Sequence, residues 1–230
     1  ALVSGDSTGA MMLWPMSKSL LPRWLEGHPC SCHAIAFHPD GQSFFSCSQD
    51  HRVKRWRASD GELIASFGPL DAPLYALAVA GDGKMLAVGD KSGRTTLMDA
   101  QTGAIVRTLD GAGGAVSTLR WNGDGRRLVT GCQDGSIRIW DVDSGRGLMR
   151  FSGHLDPVTH VAFLGTGRRL VTMGGAGLIV VWDAASGEAV YAHRAPQSIH
   201  GAAATADGNA VVVGSGSGEW RRFELPVAAR

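Results

Sequence analysis

Three side chains near the start of the chain could form a nucleophilic system. His28, Ser46 and Asp50 are the residue types of a Ser-His-Asp triad, in which the histidine removes the serine proton and the aspartate orients the imidazole. Catalysis would also need an oxyanion pocket beside the serine, and no feature of the sequence marks one. We therefore expect no catalytic residues and no enzyme activity.

A second group of side chains has the composition of a metal site. His28, Cys30, Cys32 and His33 are four potential ligands within a short segment. Structural zinc sites usually take paired ligands from two separate segments, and haem attachment needs C-x-x-C-H, whereas this chain has C-S-C-H. Adjacent residues of an extended strand also point to opposite faces. We expect no bound metal and no cofactor.

A basic stretch follows, made of His51, Arg52, Lys54, Arg55 and Arg57. Such a stretch is either a solvated strand end or a site for phosphate or an acidic partner. The whole chain has 22 Lys and Arg against 21 Asp and Glu, for a net charge of +1. This balance does not indicate nucleic acid as the primary partner.

The elements that carry these residues repeat every 42 residues. A tryptophan or a substitute for it recurs at this interval, the last one residue early, as Trp14, Trp56, Met98, Trp140, Trp182 and Phe223. Asp-Gly or Thr-Gly turn pairs keep nearly the same step, at 40–41, 82–83, 124–125, 166–167 and 207–208. A period of this length predicts an array of identical structural units.

The clearest unit contains four short apolar runs separated by turn signals. They are Ala115 to Trp121, Arg127 to Cys132, Ser136 to Trp140 and Gly147 to Phe151. These runs predict strands a, b, c and d of a small antiparallel sheet, with Asp124-Gly125 as the a-to-b turn. Because one such sheet cannot bury both of its faces, successive sheets must stack. The pattern predicts an all-β protein, a β-propeller of four-stranded antiparallel blades with about six blades visible.

Several dipeptides share this frame: Gly27-His28, Gly153-His154, Asp134-Gly135, Trp140-Asp141 and Trp182-Asp183. They resemble the signature of the WD-repeat (tryptophan-aspartate repeat, G-beta-like) β-propellers, and the resemblance covers essentially the whole chain. It implies one propeller domain over residues 1–230. The approximate repeats are 1–26, 27–67, 68–109, 110–151, 152–193 and 194–230.

The resemblance also implies a structural role for the triad-like residues. In this family a histidine of the d-to-a loop, a strand-b serine or threonine, a b-to-c turn aspartate and a strand-c tryptophan form a hydrogen-bonded tetrad. One repeat matches fully, with His28, Ser46, Asp50 and Trp56; the fourth and fifth match in part, with Thr130, Asp134 and Trp140, and with His154, Thr172 and Trp182. Ala112 and Ala176 replace the missing histidine and aspartate.

The first repeat contains only strands b, c and d, so one strand is lacking for closure of a ring. Family propellers pair strands from the two termini, which protects the sheet edges. The closing strand would come from a segment before Ala1, from the tail 225–230, or from another chain. We expect a seven-bladed parent, with a six-bladed ring as the alternative.

Composition gives weaker constraints on location. No apolar run approaches the roughly 20 residues of a membrane-spanning helix. The four cysteines are too few for a disulfide framework, and no targeting segment is visible. Reduced thiols and the lack of a visible targeting segment favour a cytoplasmic location.

By analogy with the family, the function is that of a non-catalytic protein-protein interaction scaffold within a multiprotein complex. The candidate partner-binding residues lie mainly in the d-to-a and b-to-c loops, and they are Trp24, His51, Arg52, Lys91, Arg94 and Asp156. One alternative is a purely structural subunit of a large assembly. Another is a propeller enzyme with a cofactor or metal on its axis, which would need polar residues on several strands a, where Ala76, Ala78, Val116, Val161 and Ala202 are apolar.

Overall fold

Strands occupy the apolar runs between the turn signals throughout the chain. The structure is a computed structural model that describes residues 1–16, 21–205 and 207–225. Its described residues form six antiparallel sheets, in two compact units that comprise residues 1–109 and 110–230. The part of the predicted closing tail after residue 225 lies outside the described residues.

The first unit holds three sheets. The first has β1 (Leu2–Gly5), β2 (Met11–Trp14) and β3 (Arg23–Leu25); the second has β4 (Cys32–Phe37), β5 (Ser43–Ser48), β6 (Val53–Arg57) and β7 (Leu63–Phe67); the third has β8 (Leu74–Val79), β9 (Met85–Asp90), β10 (Thr95–Asp99) and β11 (Ile105–Leu109).

The second unit holds the other three. The fourth sheet has β12 (Val116–Trp121), β13 (Arg127–Cys132), β14 (Ser136–Asp141) and β15 (Gly147–Ser152); the fifth has β16 (Val158–Leu164), β17 (Arg169–Gly174), β18 (Leu178–Asp183) and β19 (Ala189–Arg194); the sixth has β20 (Ile199–Ala204), β21 (Ala210–Ser215) and β22 (Trp220–Glu224).

Each sheet is a meander whose strands are paired in chain order. The a-to-b connections are tight turns at the Asp-Gly pairs. Gly125, for example, has a φ of 72°, a left-handed conformation that glycine adopts without a steric penalty. In the second to fifth sheets, strand d lies on the outside and strand a on the inside of the blade, because strand a is the one that contacts the next sheet.

Alternate side chains of each strand pack against opposite neighbouring sheets. On β5, Phe44 packs with Met11, Leu13 and Trp56 toward the first sheet, whereas Phe45 belongs to the cluster shared with the third sheet. Both phenylalanines are fully buried. This two-sided burial follows from the alternation of side chains along a strand.

The second unit repeats this packing. Leu170 belongs to the cluster that the fifth sheet shares with the fourth, and Val171 belongs to the cluster shared with the sixth. The predicted all-β propeller of four-stranded antiparallel blades is confirmed, and the first and last sheets have three strands within the described residues. All four cysteines are free. The described residues contain no helix with the length and apolar character needed to cross a membrane.

Candidate functional site

His28, Ser46, Asp50 and Trp56 lie together inside the second sheet. Ser46 is on β5, Trp56 is on β6, and His28 and Asp50 come from the d-to-a loop and the b-to-c turn. The Trp56 indole donates to Ser46 Oγ at 2.8 Å, and Ser46 Oγ lies 2.7 Å from His28 Nε2. His28 Nδ1 in turn lies 2.8 Å from Asp50 Oδ2. The four side chains therefore form one continuous chain of hydrogen bonds.

The direction of these bonds follows from the donors available. An ionised Asp50 can only accept, so a neutral His28 carries its proton on Nδ1 and donates to Asp50. The His28 Nε2 lone pair then accepts the hydroxyl proton of Ser46, whose oxygen accepts from Trp56. Burial lowers the pKa of His28, and the hydrogen bond that His28 donates to Asp50 partly opposes this shift. The arrangement stabilises a neutral imidazole rather than an imidazolium.

Ser46 is poorly placed to act as a nucleophile. The residue has no exposed surface, and its hydroxyl is held between the Trp56 indole and the His28 imidazole. A substrate would have to displace the tryptophan before it could reach the oxygen. The arrangement is suited to satisfying buried polar groups, each hydrogen bond contributing about 0.5–1.5 kcal/mol to stability.

The fourth sheet retains only one bond of this chain. The Trp140 indole donates to Thr130 Oγ1 at 3.0 Å. Asp134 does not join them, because its Oδ1 accepts from the Ser136 hydroxyl at 2.6 Å. With Ala112 in place of histidine, no imidazole links the turn aspartate to the threonine; the Ala112 carbonyl instead accepts from Ser136 Oγ at 2.8 Å.

The fifth sheet retains two bonds. The Trp182 indole and His154 Nε2 each lie 2.8 Å from Thr172 Oγ1. His154 Nδ1 is buried and has no hydrogen-bond partner among the described residues. Ala176 replaces the aspartate here, and its backbone N–H donates to Asp156 from the loop that carries His154. Burial lowers the pKa of His154, and the negative charge of Asp156 opposes that shift.

The basic candidates of the b-to-c turns are partly held by the chain itself. His51 has a positive φ of 66° and its ring Nδ1 donates to the Leu70 carbonyl at 3.0 Å. Arg52 Nη1 donates to the Gly68 carbonyl at 3.1 Å, and Arg94 Nη1 pairs with Asp71 Oδ2 at 2.6 Å. Lys91, by contrast, is exposed and has no side-chain partner among the described residues. The paired residues brace the loops, whereas Lys91 makes no such contact with the described residues.

Two apolar side chains are exposed at or near the other candidates. Trp24, on the outer strand β3, is 68% exposed. Leu155 is fully exposed at the tip of the d-to-a loop, next to Asp156, whose carboxylate is turned toward the Ala176 amide. Asp156 thus fixes the loop, and Leu155 rather than Asp156 projects into solvent.

The four residues considered as metal ligands have separate environments. His28 belongs to the tetrad, Cys30 is exposed, and the His33 ring packs edge-on against Tyr75 at a centroid distance of 4.7 Å. Burial raises the pKa of Cys32 to about 11, so its thiol is protonated at neutral pH. No group of three or more His, Cys, Asp or Glu within the described ranges is arranged to hold a metal ion.

Two polar residues of the inner strands were missed in the reasoning from sequence. Arg120 on β12 and His160 on β16 line a cavity within the second unit. In the repeat frame, with the last repeat shifted by one residue, Arg120 aligns with Ala36, Ala78, Ala162 and Ala203, and His160 aligns with Ala34, Ala76, Thr118 and Gly201. An alignment of strands a in this register shows that both residues stand where the other repeats have small side chains.

The fold and the tetrad define a class, the WD-repeat β-propellers. A family model described as the Vps8 beta-propeller matches residues 76–193, and one described as "WD domain, G-beta repeat" matches residues 19–57. The first match spans slightly more than half of the chain, so the chain belongs to this family of β-propellers, and its repeats are WD repeats.

Several curated proteins share part of the sequence. Ribosome assembly protein 4 of Saccharomyces cerevisiae is 34% identical over 67 residues, 29% of this chain and 13% of that protein. Target of rapamycin complex subunit wat1 of Schizosaccharomyces pombe is 26% identical over 93 residues, 40% of this chain and 29% of that protein.

Eukaryotic translation initiation factor 3 subunit I of Drosophila pseudoobscura pseudoobscura is 28% identical over 80 residues, 35% of this chain and 24% of that protein. The matched segments thus span less than a third of each of these three relatives. Two of the three are named as subunits of larger assemblies.

Proposed function

We propose that this protein is a non-catalytic scaffold that binds partner peptides or subunits within a multiprotein complex. Its d-to-a and b-to-c loops are the contact surface in this proposal. The names of two relatives as complex subunits support the general role. The observation that carries the assignment to these loops is Leu155, a fully exposed leucine on a loop braced by Asp156.

Leu155 has the properties of an interface anchor. An apolar side chain that is fully hydrated in the free protein gains free energy when a partner removes it from water, by about 25 cal/mol for each Å² buried. The loop beneath it is fixed by the bond from the Ala176 amide to Asp156. A pre-ordered loop loses less conformational entropy on binding than a mobile one.

In the first unit, Lys91 supplies a charged contact of the same kind. It lies on a b-to-c turn in which Asp90 Oδ1 accepts from the backbone N–H groups of Ser92 and Arg94 at 2.8 and 3.0 Å. The side chain of the neighbouring Arg94 is also held in place, by an ion pair with Asp71. The uncommitted Lys91 ammonium is then free to pair with an acidic group of a partner, which affects the rate and selectivity of association more than its final strength.

Quantitative affinity capture with the tagged full chain tests this role. We expect L155S and K91E each to lower the recovery of a defined set of co-purifying proteins. L148S, an exposed leucine on the outer strand β15, and K84E, an exposed lysine at an a-to-b turn, are the matched controls and should retain the whole set. Equal recovery with all four variants would refute the loop assignment and favour a subunit with a purely structural role.

A further inference from the structure

The second unit contains a cavity of about 430 Å³ beside its inner strands. Arg120 and Trp121 line it from β12, His160 and Phe163 from β16, and Met173 from β17. The remaining wall is mainly the alanine-rich segment 202–205. A cavity of this size is within the range that accommodates a small organic molecule.

Two lining side chains, those of His160 and Arg120, carry N–H donors for which no acceptor is found among the described residues. The Ala202 N–H donates to His160 Nε2 at 3.2 Å, so a neutral His160 carries its proton on Nδ1. That Nδ1 is buried and has no partner among the described residues. Arg120 is exposed, and its Nη1 donates to the Leu119 carbonyl at 2.8 Å; most of its five N–H donors have no partner among the described residues.

The charge of the cavity has a single sign. No aspartate or glutamate is among its described lining residues, whereas Arg120 brings a permanent positive charge. Burial and the nearby Arg120 charge both lower the pKa of His160. An anion in the cavity would pair with the positive charge of Arg120 and would accept from the His160 Nδ1 donor, which lacks a partner among the described residues.

The repeat frame indicates that the two residues are not needed for folding. Alanine occupies the position of Arg120 in four other repeats, and alanine, threonine or glycine occupies the position of His160. A buried donor without a partner destabilises a fold, so its presence in a native protein needs an explanation. His160 Nδ1 is such a donor, and the exposed Arg120 on the neighbouring strand lines the same cavity; an anionic ligand would explain both residues together.

We propose that this cavity binds a small organic anion, whose carboxylate or phosphate accepts hydrogen bonds from Arg120 and His160. The apolar body of the ligand would contact Phe163, Met173 and the alanines of β20. Guanidinium groups bind both carboxylate and phosphate through paired, charge-assisted hydrogen bonds. The proposal concerns a different surface from the loops that carry the scaffold role, and it does not depend on that role.

Binding of two simple probes to the full chain tests the site. Benzoate and phenyl phosphate carry the two anionic groups on the same ring, and benzyl alcohol is the matched neutral compound. Isothermal titration should give saturable binding of at least one anion, and benzyl alcohol should bind at least about tenfold more weakly, because a charge-assisted hydrogen bond contributes about 1.5 kcal/mol or more. Preference for benzoate or phenyl phosphate identifies the acid group that the site selects.

Two variants restore the alanine of the other repeats. R120A and H160A should fold with unfolding midpoints equal to or above that of the parent, and R120A should weaken anion binding by about tenfold or more. R126A, an exposed arginine of the following turn, should bind like the parent. The proposal would be overturned if neither anion bound, or if R120A bound the anions as tightly as the parent. It would also be overturned if inorganic phosphate stabilised R120A and the parent equally.

Discussion

The Nδ1 atom of His28 lies 2.8 Å from the Oδ2 atom of Asp50. In the fifth sheet the equivalent His154 Nδ1 has no partner among the described residues, because Ala176 occupies the position of Asp50 in the repeat. The two sheets otherwise share a bond from the tryptophan indole to a strand-b hydroxyl and a bond between that hydroxyl and the histidine Nε2. The hydrogen-bonded chain is therefore a local supplement to apolar packing, present to a different extent in each blade.

The unpaired His154 gives a direct stability prediction. A176D should provide the missing acceptor and raise the free energy of unfolding by about 1 kcal/mol, the usual net contribution of one hydrogen bond. Asp156 lies nearby, so the gain should be larger in the D156N background, where the two carboxylates no longer repel. Urea unfolding of the four proteins measures both effects. A lack of stabilisation by A176D in either background would contradict the geometry described for His154.

Within the complete tetrad, replacement of Ser46 should lower the free energy of unfolding most. S46A leaves the Trp56 indole N–H and His28 Nε2 buried without a partner. We expect a loss of about 2 to 4 kcal/mol, since each unsatisfied buried group costs about 1–3 kcal/mol. S59A, at an exposed serine of the same sheet, should change stability by less than about 0.5 kcal/mol. Equal unfolding midpoints for the two variants in urea would show that the tetrad contributes no stability.

Much of the fold could be predicted because the repeat fixes strand positions. The apolar run Arg127 to Cys132 was predicted as a strand, and β13 has these bounds. The next run, Ser136 to Trp140, differs from β14 by one residue. Turn glycines and alternation of side chains are local features, so they can be read without tertiary information.

The loops were harder to predict, because tertiary contacts set their conformation. His51 is a candidate partner contact by sequence, but its ring donates to the Leu70 carbonyl of the following d-to-a loop. Similarly, the sequence does not show that Asp156 turns inward and leaves Leu155 exposed. The cavity beside Arg120 and His160 depends on the spacing of neighbouring strands, which the repeat register does not define.

The buried histidines predict how stability depends on pH. Burial is the main cause of the lowered pKa values of His28, His154 and His160. The unfolded chain, with histidine pKa values near 6.5, therefore binds more protons than the folded protein as the pH falls below about 6.5. Their neutral forms support the fold above that pH, and this stability is lost on acidification.

Urea unfolding between pH 7.5 and 5 measures this dependence. The free energy of unfolding should fall as the pH decreases, and it should fall less steeply in H160A, in which one of the three groups is absent. Stability at pH 7.5 should be no lower in H160A than in the parent, because alanine occupies this position in other repeats. Stability that increases between pH 6.5 and 5 would have the wrong sign for buried neutral histidines.

The cysteines should differ strongly in reactivity. Cys30 is exposed, whereas burial raises the pKa of Cys32 to about 11 and also raises those of Cys47 and Cys132. The thiolate is the reactive form, so at pH 8 only about one Cys32 side chain in a thousand is reactive. Iodoacetamide labelling followed by peptide mass spectrometry should show Cys30 modified first. The unfolded protein, labelled at all four sites, is the control, and equally fast labelling of Cys47 in the native protein would contradict its burial.

The scaffold role is tested most directly by site-specific photocrosslinking of the full chain in the lysate of its source. A benzophenone amino acid would replace Leu155 or Lys91 in the proposed contact loops, and Lys84 or Arg126 at a-to-b turns as controls. A scaffold that binds through these loops should give crosslinks to other proteins from positions 155 and 91, with little or none from positions 84 and 126. Crosslinks from the a-to-b turns alone, or equal crosslinking from all four positions, would contradict it.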